Sequence, residues 1–498
     1  MGLGIVACAA LLGALAPACG TSECAATATC GDLQGAADAG DGGSVYPPVP
    51  PPPGCDPATD AKDAPRCAVD EYALFVDGAD GSNASPGGRG APLRTLSAAT
   101  DIDKLHGRPR IYVCGVGPYT DTVRLPPNVS LFGGFECKTW RYVGAKAKIA
   151  VPPGVIGVHV KDSASTTLAD LEVSSANATE PGGSSVAVLT VGSQLTARRL
   201  TITAGEGRDA VNAPAPASNH SETPVDGLQA TNGTGGAALT CACAVFGTSR
   251  GGRGGDATGP GEAGSAIPPA AVIFGRDAAG GVGGTDATCS PGTAGSDGAA
   301  GAGGSRGTVV GRFTVDGWMP ARGSDGGPGG PGAGGGGGGG HGSAGGGGGA
   351  CGGCGGAGGI GGAGGGASIA VASLSSDVRL IECSLSTSAA GAGGHGGQGE
   401  DGAAGGMPRV SVGCSGGAGG AGAGGGGGGG GAGGVSAPVL RARGSLVMDE
   451  ASVLVQGNAG YRGLFGLGGA GTGSVATSGE PGALGLDGVA APVVVLEQ

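Results

Sequence analysis

The residues of this chain that could do chemistry are five histidines, fifteen cysteines and a thin scatter of carboxylates. His106, His159, His220, His341 and His395 stand far apart in sequence. None lies in an HExxH arrangement or beside an evident Ser/Asp pair, so neither zinc hydrolysis nor triad chemistry is written locally. His341 and His395 fall inside glycine tracts and read as exposed polar fillers. Asp162 and Asp170 belong to one structural repeat, and the next repeat offers Gly or Arg nearby. Stacked carboxylates for acid–base work are therefore not expected. Asp256 and Asp325 are isolated, and the tandem nonapeptide that binds calcium does not recur.

The cysteines are more informative. Cys351 and Cys354 form a CxxC, and Cys241 and Cys243 a CxC. Elsewhere such spacing can mean redox chemistry or half a metal site. Here the CxxC lacks a strand-to-helix context and sits in CGGCGGAGGIGGAGGGA, a Gly-Gly-X triplet running from Cys351 to Ala367. The same beat returns at Gly292–Gly307, Gly323–Gly335, Gly393–Gly405, Gly416–Gly434 and Gly479–Gly488. A triplet period puts every third residue on one side of an extended, polyproline-II-like segment, where glycine lets neighbouring backbones approach. Collagen does not fit, because the runs are short and poor in proline. Two readings stay open: an ordered, polyglycine-II-like packing, or disordered spacers. If the segments are ordered, three residues rise about 9 Å, beyond the roughly 7 Å a disulfide tolerates. Cys351 and Cys354 should then bond to different partners, with Cys289, Cys383 and Cys414 the candidates. With Cys114 and Cys137 they make up the expected disulfide cysteines, in an oxidising compartment. No metal or cofactor is expected.

Composition narrows the function classes. Glycine supplies 122 of 498 residues, aromatics only 3%, so a dense Leu/Phe core over the whole length is excluded. The formal net charge of −12 argues against a nucleic-acid partner.

The elements that must carry these residues follow in order. Leu3 to Ala16 is an apolar run too short to span a bilayer comfortably, leading into Leu15-Ala16-Pro17-Ala18-Cys19-Gly20. This resembles a bacterial lipoprotein leader, which implies cleavage before Cys19, a lipid on that residue and a membrane as partner; the alternative is an ordinary secretory signal ending near Ala18. Residues 20–68 read as a tether, with PPVPPPP at Pro47–Pro53 and local disulfides among Cys24, Cys30, Cys55 and Cys67.

From Tyr72 the pattern changes. Strands are expected at 72–76, 110–114 and 122–125, a short helix at 97–105, and then Pro127-Asn-Val-Ser-Leu-Phe-Gly-Gly-Phe135. Together with Asp77-Gly-Ala-Asp-Gly-Ser-Asn83 and Pro92-Leu-Arg-Thr-Leu96, this succession (69–140) resembles the entry module of right-handed parallel β-helix, pectin-lyase-like proteins. The resemblance implies an all-β fold whose short N-terminal helix caps the open end of the coil.

Repeats support such coils over 141–498. Val158/Val160, Thr166/Leu168 and Leu171/Val173 recur 29 residues on as Ala187/Leu189, Leu195/Ala197 and Leu200/Ile202. Ile369/Val371, Val378/Leu380 and Cys383/Leu385 recur 68 residues on as Ala437/Val439, Leu446/Met448 and Ala451/Val453, and Ala491–Val495 repeats the entry at Ala437–Leu440. The glycine-rich inserts (about 204–366, 387–436 and 456–490) all leave after a third strand, so they should emerge from one corner. Ala270–Phe274 and Thr308–Val315 read as further strands of unknown phase.

The chain is also similar to myxobacterial lipoproteins with PGRS-like glycine-rich inserts. The function expected is a non-enzymatic envelope or cell-surface lipoprotein with a structural or adhesive role, contacting surface polysaccharide or another envelope protein. The alternatives are an extracellular polysaccharide lyase or hydrolase, and a glycan- or ice-binding surface.

Overall fold

The computed structural model describes residues 46–115, 117–220, 225–268, 289–472 and 477–497. The expected leader, Cys19, Cys24, Cys30 and the strand at 270–274 lie outside these residues. The fold is all-β with long parallel sheets, and the helices among the described residues are single turns. Among the described residues no helix is long and apolar enough to cross a membrane.

Three sheets carry the chain. After entry through Ala73–Val76 and Arg110–Cys114, it visits them in a fixed cycle, each strand pairing in parallel with its counterpart one cycle later. The first sheet receives Val123–Leu125, Val158–Lys161, Ser185–Val191, Ser368–Leu374, Ser436–Ala442 and Val493–Leu496. The second takes Ser130–Phe135, Thr166–Ala169, Gln194–Arg198, Asp377–Ile381 and Leu446–Met448. The third takes Ala147–Val151, Leu171–Ser175, Thr201–Ala204, Ser384–Thr387 and Val453–Val455. Alternate residues of all three converge on one core that includes Val160, Leu168, Val173, Leu195, Ile202, Leu380 and Leu385.

The expected helix over 97–105 is two turns, Leu96–Ala99 and Ile102–Leu105, because Thr95 and Asp101 each cap a separate start. Leu96, Ala99 and Leu105 sink into the same core. Residues 46–68 do not behave as a free tether. Val49 donates to Gly107 O, Cys67 is fully buried, and Cys55 and Cys67 are bridged.

Two register expectations need correction. On the second and third sheets the 29-residue offset holds, but on the first Val158 and Val160 face Val188 and Thr190, an offset of 30. Ser185–Val191 is buried on both faces, so alternation could not set its phase. Its outer residue Leu189 instead joins Ile369, Ala372 and Leu440 beneath Phe313 and Trp318 of a hairpin formed by Gly311–Thr314 and Gly317–Pro320. Only the middle of the strand expected at 308–315 is strand, and it pairs with its own hairpin partner. Late in the chain Leu385 faces Leu454, an offset of 69, and Val453 turns out to solvent.

All three long inserts leave the third sheet and return to the first, so they share one corner. Outgoing tracts at 205–220, 389–407 and 457–472 lie side by side in parallel. Gly207 and Ala210 donate to Ala389 and Ala392, and Gly393 and Gly396 to Tyr461 and Leu464. Returning tracts at 345–366, 416–434 and 477–490 form a second parallel layer, antiparallel to the first, and 292–307 with 321–340 form a third.

The tract 416–434 lies at the centre. Its N–H groups divide by position. Gly420, Gly426 and Gly429 donate to 324–333, Gly422, Gly425 and Gly428 to 397–403, and Gly427, Gly430 and Gly433 to 480–486. Its carbonyls accept from three other tracts, through Gly353, Gly356 and Gly359, through Gly295, Gly298 and Gly301, and through Gly463, Gly466 and Gly469. Six neighbours therefore satisfy one extended segment that has no bonds to itself. The ordered reading of the triplets holds throughout these tracts, because buried backbone without such partners would be heavily penalised.

Candidate functional site

Serines root the lattice in the sheets. Ser185, Ser368 and Ser436 open successive strands of the first sheet and stand in register. Their hydroxyls accept from Gly205, Ser388 and Gly457, the residues where the three outgoing tracts begin. Each hydroxyl also meets a second buried partner: Ser175 Oγ (2.7 Å), Gly205 O (2.7 Å) and Thr387 Oγ1 (2.9 Å) respectively.

Cysteines pin the lattice further out. Cys351 bonds Cys241 and Cys354 bonds Cys243, with Cα separations of 6.2 and 5.7 Å. The CxxC pair thus takes two different partners, as the rise of an extended segment requires, but the partners are the CxC on Leu239–Ala242 and its edge. They are not Cys289, Cys383 or Cys414. Cys289 bonds Cys414, and Cys114 bonds Cys137. Asp77 lies beside that last bridge, whose sulfurs are bonded to each other and so are not thiolate ligands. Cys383 corrects the expectation that it is bridged: it is a free, buried thiol contacting Ala197 O and Ile381 O. Burial pushes its pKa up and makes it unreactive.

Side chains on the glycine tracts accept from backbone N–H groups of the adjacent tract. His395 Nδ1 accepts from Leu464 N at 2.8 Å and Asp401 from Ala470 N at 2.6 Å, while Asp209 and Asn212 do the same for Ala392 and His395. Asp325 accepts from Gly361 N and Asp256 from Gly235 N, so these two isolated aspartates serve the lattice. His395 is thus a cap and not a filler. Glu400 is the most connected, accepting from Ser218 Oγ, Asn219 N and Ala357 N. Burial pushes its carboxyl up, but the bonds from Asn219, Ser218 and Ala357 outweigh it and hold the pKa below the ordinary value. Ser218, His220 and Glu400 are near one another without forming a triad: the serine bonds the carboxylate, and His220 Nε2 faces Asp401 O at 2.8 Å.

The other candidate is a groove of about 390 Å³ across the outer face of the second sheet. Its floor is a hydroxyl ladder, with Thr167 and Thr196 in register and Ser130 Oγ accepting from Thr167 N. Arg198 and Arg110 enter it, the latter 4.9 Å over the Phe132 ring. Residues 57–61 form one wall. Arg110 donates to Pro57 O, and Arg199 bridges Asp60 (2.7 Å) to Asp170 (2.7 Å), which also accepts from Tyr142. Asp170 is therefore committed to an ion pair, and Asp162 lies at an exposed left-handed corner (φ 49°). No pair of free carboxylates faces this groove among the described residues.

His106 ends the second helical turn in left-handed conformation with its ring tilted against that of Tyr46, and His341 sits in a tract-end turn. His159 lies on the outer face of the first sheet, where burial, then Arg124 and Lys161, lower its pKa to about 4.

Sequence reasoning missed the serine roots, the groove arginines and Asp60. The serines had a signal: each directly precedes a small apolar run that opens a repeat. Asp60 had none, since its partner lies 139 residues away. No family model, curated protein or solved structure matches the chain.

Proposed function

We propose that the protein is a non-enzymatic scaffold of the bacterial envelope or cell surface: a right-handed parallel β-helix of pectin-lyase-like type bearing a polyglycine II platform. A lipid on Cys19 tethers it to the membrane. The observation that carries this reading is the central tract 416–434, bonded on six sides. Such packing fixes a broad, rigid face but leaves its backbone no capacity for chemistry. The five disulfides among the described residues suit an oxidising location outside the cytosol. The contact surface is the side-chain face of the outgoing tracts, which exposes Gln398 on one tract and Tyr461, Leu464 and Leu467 on the next. Its partner is surface polysaccharide or another envelope protein.

The test is co-sedimentation of the protein with isolated cell envelopes, before and after Tyr461→Ser/Leu464→Ser/Leu467→Ser. Loss of envelope binding at least tenfold supports the platform; unchanged binding refutes it. Lipidation is read separately, as radiolabelled fatty acid lost in Cys19→Ser. The groove favours a second reading, a polysaccharide-active enzyme. In that case reducing or unsaturated ends would be released from acidic glycans, and Arg198→Ala would abolish the release.

A further inference from the structure

The lattice stops at the last outgoing and returning tracts, and the residues there show how. Equivalent positions follow from the repeating side-chain caps and bonds. His395 relates to Leu464 and Asp401 to Ala470, a shift of 69. On the outgoing tract 389–407, Gly393, Gly396, Gly399 and Gly402 send N–H groups to the next tract. Shifted by 69, these positions on 457–472 are Arg462, Phe465, Gly468 and Gly471; the two glycines sit where the chain turns back, a Cβ there overlapping Gly479 O and Thr477, and the two side chains sit where it does not. Among the returning tracts, Gly427, Gly430 and Gly433 donate to Glu480, Ala483 and Leu486, a shift of 53. The equivalent position lies one residue further on, as it does between 389–407 and 457–472, where Gly393 N bonds Tyr461 O. It falls on Pro481, Leu484 and Asp487.

Glycine is not optional where another tract passes. A Cβ on Gly393 would overlap Gly431 O, and one on Gly430 would overlap Gly463 O. At the last edge five of the equivalent positions carry two large apolar side chains, an Arg462–Asp487 ion pair (3.1 Å) and a proline with no N–H to give. Natural sheets guard exposed edge strands with the same means, charge and proline.

We infer that Arg462, Phe465, Pro481, Leu484 and Asp487 form a stop that closes the glycine lattice against addition of a further triplet segment, whether from a second copy of this chain or from another glycine-rich protein. The inference is independent of what the platform binds. Glycine occupies a tract side where the chain supplies a neighbour, and side chains take over where it does not. The tract 321–340 shows the switch within itself. One side reads Arg322, Asp325 and Pro328 toward solvent, passes through Pro331, buried beside Gly247, and then reads Gly334, Gly337 and Gly340, where a Cβ would overlap Arg250 O, Arg253 O and Ala257 O.

The experiment replaces all five stop residues by glycine in the full chain and follows mass against concentration by sedimentation. The parent's mass stays constant over the range in which the variant's at least doubles. A variant that keeps the parent's circular dichroism and trypsin resistance, yet also its mass, overturns the inference. A second measurement needs no variant: amide hydrogen exchange on the parent. The Arg462 and Phe465 amides should exchange at least 100-fold faster than those of Gly463 and Gly466. Equal protection shows that the edge is covered and overturns the stop.

Discussion

A single methyl group at the lattice centre tests whether the packing is real. Gly428 donates to Gly397 O at 2.9 Å and accepts from Gly466 N at 2.8 Å. A Cβ there would overlap Ile360 O, which belongs to a third tract. Gly428→Ala must therefore push 345–366 away from 416–434. The nearest bonds between those tracts are Gly359 N to Gly426 O and Gly362 N to Gly429 O, both 2.8 Å. Losing two bonds costs about 1 kcal/mol each, and leaving buried partners unsatisfied raises this to roughly 3–5 kcal/mol. Alanine's stiffer unfolded chain returns about 0.4–1 kcal/mol, so the expected loss is about 3 kcal/mol. Gly90→Ala is the control, because a Cβ there meets nothing within 4 Å and no positive φ is required; its effect should stay within about 0.5 kcal/mol. Denaturant unfolding followed by far-UV circular dichroism measures both. Trypsin should cut Gly428→Ala at Arg306, Arg312 and Arg322 under conditions where the parent resists. If the two variants unfold together, the tracts are not in contact and the six-sided packing is wrong.

Other expectations follow from the same structure. Cys241→Ser/Cys351→Ser removes a bridge between residues 110 apart in sequence and should cost about 2–5 kcal/mol, read as a fall in Tm that reductant reproduces in the parent. Ser436→Ala leaves Gly457 N without one of its acceptors and should destabilise by about 1–2 kcal/mol, with faster amide exchange at Gly457. His159 has its pKa lowered from 6.5 to about 4, so the unfolded chain binds the extra proton between those values and stability rises with pH across that window. Discounted for the exposed part of the ring, the effect is about 1–2 kcal/mol, and His159→Leu should flatten that slope in a thermal-melt series. Burial raises the Asp60 pKa, but its bond to Arg199 outweighs this and leaves it below the ordinary value. The groove wall is then held at neutral pH and released as pH falls through that lowered value, a transition that Arg199→Met should abolish.

The three-sheet framework was legible because its residues obey local periods. Thr166/Leu168 and Leu195/Ala197 alternate, and one face of each pair is buried, so spacing alone pairs them correctly. The reading slipped where that contrast vanishes. Ser185–Val191 is covered inside by the core and outside by Phe313 and Trp318, and a strand buried on both faces has no period to read. The Asp60–Arg199–Asp170 bridge and the groove it walls were hidden for another reason: they join segments whose proximity only the completed fold supplies.

The glycine tracts reverse this relation between sequence and contact. In a strand, the residue type reports which side is buried. In a tract that passes among up to six others, the phase of glycine reports how many neighbours there are and where they begin. Ala418 and Ala421 occupy the side of 416–434 that 477–490 does not reach, and Gly424, Gly427, Gly430 and Gly433 the side that it does. On 389–407, Gly391, Gly394 and Gly397 lie against Arg208 O, Val211 O and Pro214 O, and the next position in the row is Glu400, whose carboxylate accepts from Ser218 and Asn219 of the same neighbour. At most positions in the tracts, glycine's entropy penalty on ordering is thus accepted where a side chain would cost more through overlap. The same logic makes the lattice hard to build by drift. Adding one tract requires a new glycine row on each tract it touches, at Arg462, Phe465, Pro481, Leu484 and Asp487 together. Any one of these replaced alone would expose backbone without gaining a partner.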